Sequence, residues 1–309
     1  MIRYLKHSEI NPEKWNQAVR NSLFSTVFAE YEMLDLLTAP DDTWDALVKD
    51  EYEIVMPLPF RKKGVLKYVY TPFFMPQMGI FSKYELLPED VDVFLSEVSK
   101  HYLLADLILN EKLMVERHDM TFVSHSMSLQ LPYNELYEHY SQNTKRNIKT
   151  AEKAECVITQ QEEPVSDIIQ LFIRNKGNQT EVHFREEDYE RLHQIANYLV
   201  HRDLLDIYGV RTADNQLAAG ALFVKDGKRL WFWFSGRDNQ LSHCMPMFYL
   251  LNEYIRNHAE TDLILDFNGS TNENVARLYR SFGGERYEIP FVRRYKNPFC
   301  RFVLKLLGK

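Results

Sequence analysis

Two side chains near the C-terminal end of this 309-residue sequence have the types and spacing for proton transfer. Asp266 closes a short apolar run, Leu263 to Phe267, and Tyr279 follows on the next predicted helix. A carboxylate at the end of a strand can serve as a base or hold an amine, and a phenol near it can donate a proton. Asn268 and Asn272, in the turn between them, add amides that can bind a substrate. Both main candidates also have a packing role open to them. Asp266 can stabilise the turn and cap the helix, and Tyr279 can be the polar edge of a buried face.

The spacing predicts the elements that would hold these groups. Val275, Leu278, Tyr279 and Phe282 recur at i, i+3, i+4, i+7, which puts Tyr279 at the inward edge of one helix. Thr271 or Asn272 can cap that helix, Glu273 suits its first turn, and Gly283-Gly284 can end it. Upstream, Asp226-Gly227 joins two alternating apolar runs, Gln216 to Val224 and Arg229 to Ser235, as a hairpin ending at the candidate ligand Ser235. The next loop offers Arg237 for an anion and His243 as a base, and Pro246 then opens a helix. Lys145, Lys149 and Lys153 recur every four residues with Arg146 beside them, which is either a phosphate anchor or a solvated basic face. Thr71 to Phe81, TPFFMPQMGIF, is an apolar loop that must be buried or line a site, so Gln77 within it and Tyr70 before it are binding candidates.

The elements fall into a repeat. In each half helices lead to a hairpin, then to an apolar strand, and Asp106-Leu107-Ile108-Leu109 recurs as Asp262-Leu263-Ile264-Leu265 after a helix of similar length. This order predicts a tandem duplication of one mixed α/β (α+β) domain, over residues 1–132 and 133–309, each with a mixed, mostly antiparallel sheet flanked by helices.

Asn272, Val275, Leu278-Tyr279 and Gly283 resemble the Asn-x-x-Ala-x-x-Leu-Tyr-x-x-x-Gly-Phe pattern of the GNAT superfamily of N-acyltransferases, with Val275 for Ala and Gly284 for Phe. Phe282-Gly283-Gly284 before an aromatic strand resembles the Fem-type aminoacyltransferases, which carry two GNAT-like domains in one chain. The resemblance implies transfer of an acyl or aminoacyl group from acyl-CoA (such as acetyl-CoA) or aminoacyl-tRNA to an amine, a cell-wall precursor among the candidates. It also implies Tyr279 as the proton donor to the coenzyme A thiolate where the acyl donor is a thioester, and it implies no metal. Where GNAT enzymes cradle pyrophosphate on a glycine-bearing loop, this chain has Arg237-Asp238-Asn239-Gln240-Leu241-Ser242, without glycine. That departure leaves room for a tRNA donor, or for a catalytically silent protein that binds a peptide, glycan or phosphorylated ligand between its domains.

Composition narrows the classes further. With 45% hydrophobic and 26% charged residues the chain is globular, and its net charge of −7 argues against a general nucleic-acid binder. Cys156, Cys244 and Cys300 are far apart with no Cys-x-x-Cys, so a disulfide framework or zinc site is not expected. No signal peptide or long apolar run occurs, which points to a cytoplasmic protein. The tail from Asn297 to Leu307 alternates apolar and basic residues and can rest on an anionic membrane or dock on the protein. Oligomeric state leaves no signal in the sequence.

Overall fold

Asn11 and Pro12 open the first long helix as the spacing predicts, with the Asn11 side chain accepting from the Lys14 amide at 2.9 Å. The computed structural model describes residues 1–38, 42–63, 66–177, 184–269, 272–300 and 302. The alternative cap Thr271 and most of the basic tail, including Arg301, Lys305 and Lys309, lie outside them. The chain divides into two compact units, Met1–Val123 with Glu288 onward, and Ser124–Tyr287.

The first unit contains β1 (Ile2–Leu5), α1 (Pro12–Arg20), α2 (Tyr31–Thr38), β2 (Thr43–Lys49), β3 (Ile54–Lys63), β4 (Leu66–Val69), β5 (Phe81–Ser82), α3 (Pro88–His101) and β6 (Leu104–Ile108). Its strands run β1-β2-β3-β4-β6, and the last strand of the chain follows beside β6. Among its named strands in the described residues, the β4–β6 pairing is parallel and the others are antiparallel. Trp15 and Trp44, both fully buried, pack with ring centroids 4.9 Å apart between α1 and β2.

The strand β7 (Met120–Ser128) carries the chain into the second unit. There follow α4 (Tyr133–Glu138), α5 (Gln142–Lys153), β8 (Val157–Gln160), α6 (Val165–Phe172), α7 (Glu186–His201), β9 (Leu205–Arg211), β10 (Leu217–Asp226), β11 (Arg229–Arg237), α8 (Pro246–His258), β12 (Ile264–Asp266) and α9 (Glu273–Ser281). The final strand, β13 (Glu285–Tyr295), returns the chain to the first unit. The second sheet is ordered β8-β9-β10-β11-β12-β7, and again one pairing, β11 with β12, is parallel.

The two strand orders therefore match one for one, and each sheet is mixed and mostly antiparallel, as expected. The compact units do not break at Pro132. Backbone pairing explains the difference, because β7 completes the second sheet on β12 and β13 completes the first on β6. The hairpin read from Asp226-Gly227 is present, with Gly227 at φ +61° and Asp226 opposite Arg229. In the core of the second unit α8 buries Leu250, Leu251, Tyr254 and Ile255 completely, and the Tyr254 ring stacks on Phe223 at 3.5 Å. Burial of each such side chain is worth about 1.5–3 kcal/mol, so α8 is a firm wall for the elements around it.

Candidate active site around Tyr279

The site begins where two parallel strands stop pairing. β11 and β12 are joined over three residues each, Arg229–Trp231 with Ile264–Asp266. β12 then ends, while β11 continues to Arg237 with β10 alone among the described residues. An opening at the carboxyl ends of strands is where α/β sheets place ligands.

Tyr279 packs beside the point where the two strands stop pairing. Its ring stacks on Phe267, which follows β12, with centroids 4.6 Å apart and planes 16° from parallel. It meets Phe232, the first β11 residue past the pairing, edge to face at 6.2 Å. Tyr279 is 6% exposed, and its hydroxyl has no hydrogen-bond partner among the described residues. Burial, and then the charge of Asp266, push the phenol above its ordinary range, so it stays protonated and able to donate. Helix α9 fixes this placement, with Asn272 as its cap accepting from the Asn274 amide at 2.9 Å.

Asp266 is fully buried and held by four partners. Arg229 pairs with Oδ2, and the Tyr287 hydroxyl donates to the same oxygen at 2.6 Å. Oδ1 accepts from the Ser124 hydroxyl at 3.2 Å and from the Asn268 amide at 2.9 Å. Burial pushes its carboxyl up, while Arg229 and Tyr287 pull it down. The carboxylate thus braces the turn that carries Asn268, itself at φ +51°, while capping of α9 falls to Asn272.

His125 is a residue that the sequence reading missed. It lies on β7, fully buried, with its ring 6.3 Å from that of Tyr279, and its carbonyl accepts from the Phe267 amide at 2.9 Å. Burial, then the nearby Arg280 and Arg286, lower its pKa and keep the imidazole neutral. Alternation along β7 sends Ser124 toward Asp266 and His125 toward Tyr279.

The remaining candidates are spread more widely. His243 is exposed, with Nδ1 3.2 Å from the Gln240 carbonyl and Nε2 3.3 Å from the Cys244 sulfur, and no hydrogen bond joins it to Asp266 or Tyr279. Ser235 faces Ala221 in the β10–β11 ladder, and Arg237 is exposed at the end of β11. Lys145 is drawn to Glu138 at 3.3 Å and lies over the Tyr137 ring, Arg146 bonds Asn143 at 2.6 Å, and Lys149 is exposed. Gln77 and Tyr70 belong to the first unit. There Gln77 is buried and accepts from the Glu111 amide at 2.8 Å, while the Tyr70 hydroxyl donates to Asp42 at 2.5 Å.

The loop after β11 turns its amides inward. Those of Asp238, Asn239 and Gln240 bond Ala218 O, Asn175 Oδ1 and Asp238 Oδ1 at 2.8, 3.0 and 2.8 Å. Cys244 and Met245 close a turn onto Leu241 and Ser242, and α8 opens on Pro246, which has no N–H. Among the described residues no group of three or more His, Cys, Asp or Glu is arranged to hold a metal ion, and no helix is long and apolar enough to cross a membrane.

Residues 138–287 match the family model of the acetyltransferase (GNAT) domain. The fold is similar to that of FemX over 99% of this chain and 100% of that one, with a TM-score of 0.69 at 10% identity. L-PGS from Bacillus licheniformis aligns over 96% and 97% with a TM-score of 0.54 at 10% identity. Saccharomyces cerevisiae N-myristoyltransferase with bound myristoyl-CoA aligns over 96% and 78%, with a TM-score of 0.51 at 11% identity. No curated protein sequence matches the chain. Residues 138–287 are thus similar to a GNAT-type acetyltransferase domain, and the chain as a whole has a fold like that of FemX.

Proposed function

We propose that the chain is an N-acyltransferase that moves an acyl or aminoacyl group onto an amine at the opening between β11 and β12. The observation that carries this reading is the Tyr279 ring, fixed between Phe232 and Phe267 where the strands stop pairing, with its hydroxyl uncommitted among the described residues. Attack by the neutral amine on the donor carbonyl forms the new C–N bond, the bond from the carbonyl carbon to the leaving group breaks, the leaving group departs with a proton that the Tyr279 hydroxyl supplies, and the proton shed by the amine nitrogen restores the phenol. Asp266 and Arg229 act as a brace for the turn, because the carboxylate is surrounded by four partners and does not reach solvent. The neutral imidazole of His125 supports the Phe232–Tyr279–Phe267 stack from β7.

We infer further that the donor is an aminoacyl ester of tRNA in preference to acyl-CoA. The inward amides of Asp238, Asn239 and Gln240 do not offer a pyrophosphate cradle. A phenol held above its usual value of about 10 gives its proton readily to a ribose alkoxide and poorly to a thiolate, whose conjugate acid lies near 8.5. Such a donor places the reaction in the cytoplasm. The Fem-type resemblance makes an amine on a cell-wall precursor the first acceptor to try.

The test is transfer of a labelled acyl group from an aminoacyl-tRNA pool and, separately, from acyl-CoAs to a panel of amines, followed by mass spectrometry. Transfer from tRNA alone is expected. Transfer from acyl-CoA alone would overturn the donor assignment, and ligand binding with no transfer from either donor would make the chain a silent binding protein.

A further inference from the structure

Two of the three cysteines, far apart in the sequence, meet in the core of the second unit. Cys156 follows α5, and Cys244 ends the short turn Ser242–Cys244 that leads into α8. Both are free thiols, 7% and 5% exposed, in one apolar cluster with Ile148 and Ala151 of α5 and Met247 and Leu251 of α8. Their side chains lie within hydrogen-bond reach of each other. Backbone bonds hold each in place: the Cys156 amide donates to the Ala151 carbonyl at 3.2 Å, and the Cys244 amide to the Leu241 carbonyl at 3.1 Å.

The two thiols are not equivalent. His243 Nδ1 lies 3.2 Å from the Gln240 carbonyl, which can only accept, so in the neutral ring Nδ1 carries the proton. Nε2 is then bare, 3.3 Å from Cys244 Sγ, and accepts from the thiol. An imidazole in this position is the usual activator of a cysteine nucleophile. Cys156 stands the other way. Burial, and then Cys244, push its thiol up to about 11, so it stays protonated while its neighbour reacts.

We propose that Cys156 and Cys244 are a peroxide-sensitive thiol pair that closes to a disulfide and ties the end of α5 to the start of α8. Cys244 passes its proton to His243 Nε2, and its sulfur attacks one oxygen of hydrogen peroxide. The S–O bond forms, the O–O bond breaks, and the departing hydroxide takes the proton from His243 and leaves as water. The Cys156 sulfur then attacks the sulfenic acid on Cys244. The S–S bond forms, the S–O bond breaks, and hydroxide leaves as a second water with the Cys156 proton. Two thiols have lost two electrons and one peroxide has gained them. Near-complete burial of both residues favours a reagent close to water in size over a bulky disulfide. The pair does not depend on the acyl-transfer reading, since oxidation is measured without donor or acceptor.

The experiment treats the folded whole chain with hydrogen peroxide, alkylates the remaining thiols and maps the peptides by mass spectrometry. A peptide linked through Cys156 and Cys244 is expected, lost again on reduction with dithiothreitol, and Cys300→Ser should give the same link. In Cys156→Ser, dimedone should trap a sulfenic acid on Cys244, while Cys244→Ser should yield none on Cys156 at the same dose. His243→Gln should slow formation of the link by about tenfold or more. Absence of the linked peptide at millimolar peroxide would overturn the proposal, as would its appearance only after denaturation. A wild-type rate in His243→Gln, or dimedone trapping on Cys156 in place of Cys244, would overturn the assigned order of attack. If the serine variants misfold, the wild-type map, which needs no substitution, decides.

Discussion

The amide of Gly284 donates to the carbonyl of Tyr279 at 3.1 Å, so the end of α9 is tied directly to the residue at the centre of the site. The Gly283 amide donates to Arg280 at 3.0 Å with Gly283 at φ +87°, which completes a left-handed helix stop. A Cβ on Gly284 would stand 2.8 Å from the Tyr279 oxygen and 3.1 Å from the Phe267 ring. Gly284→Ala should therefore shift α9 and disturb the Phe267–Tyr279 stack, at a cost of about 1–3 kcal/mol. A melting temperature equal to wild type would show that α9 does not need this close approach.

Tyr279→Phe keeps the ring contacts with Phe267 and Phe232 and removes only the hydroxyl, which bonds no described residue. Stability should change little. Turnover should fall by about 10²–10⁴-fold, the usual worth of a positioned proton donor, if leaving-group departure limits the rate. Full activity in this variant would remove Tyr279 from the chemistry and leave it as a packing residue.

Asp266→Ala should destabilise the second unit strongly. It leaves Arg229 facing the vacated site and removes an acceptor from Ser124, Tyr287 and the Asn268 amide. Breaking one side of a buried ion pair costs about 3–5 kcal/mol. Denaturant unfolding measures this, and a loss below about 1 kcal/mol would mean that the turn does not rely on the carboxylate.

Of all these groups the sequence revealed those whose role is written in local spacing. Tyr279 follows from the period of α9, and the Asp226-Gly227 hairpin from its turn chemistry, so both were legible. His125 was not singled out, although alternation along β7 puts it on the same face as Val123, Met127 and Leu129, where a polar residue is a signal in itself. The saturation of Asp266 was illegible, because Ser124, Arg229 and Tyr287 come from distant parts of the chain and no local pattern joins them. The basic stripe on α5 was visible as charge, but only the fold shows that Lys145 is drawn to Glu138 and that Arg146 serves Asn143.

His125 should make the fold sensitive to acid. Its folded pKa lies below the ordinary 6.5, so as pH falls through that value the unfolded chain takes up a proton that the folded chain resists. The linked stability is complete above about pH 6.5 and is lost progressively below it. Unfolding free energies of wild type and His125→Gln, compared at pH 7.5 and 5.5, measure the effect. The variant should lose less stability between the two, and equal losses would place the sensitivity elsewhere.

Strand exchange along the chain sets which fragments can fold. The matched strand orders support a duplication, but each sheet is completed by a strand from far along the sequence, β13 on β6 and β7 on β12. A fragment of residues 1–132 lacks β13, so Leu104–Ile108 would present an unpaired edge where five residues are now matched with Phe291–Tyr295. A fragment of residues 133–287 lacks Ser124 and His125 as well as the strand, so Asp266 loses a partner and the Phe267 amide loses its acceptor. Residues 124–287 retain all of these and should fold cooperatively, while 133–287 should not. Circular dichroism melts of the two fragments, together with 1–132, provide the measurement. A sharp transition in 133–287 at the temperature of 124–287 would show that β7 is dispensable to the domain.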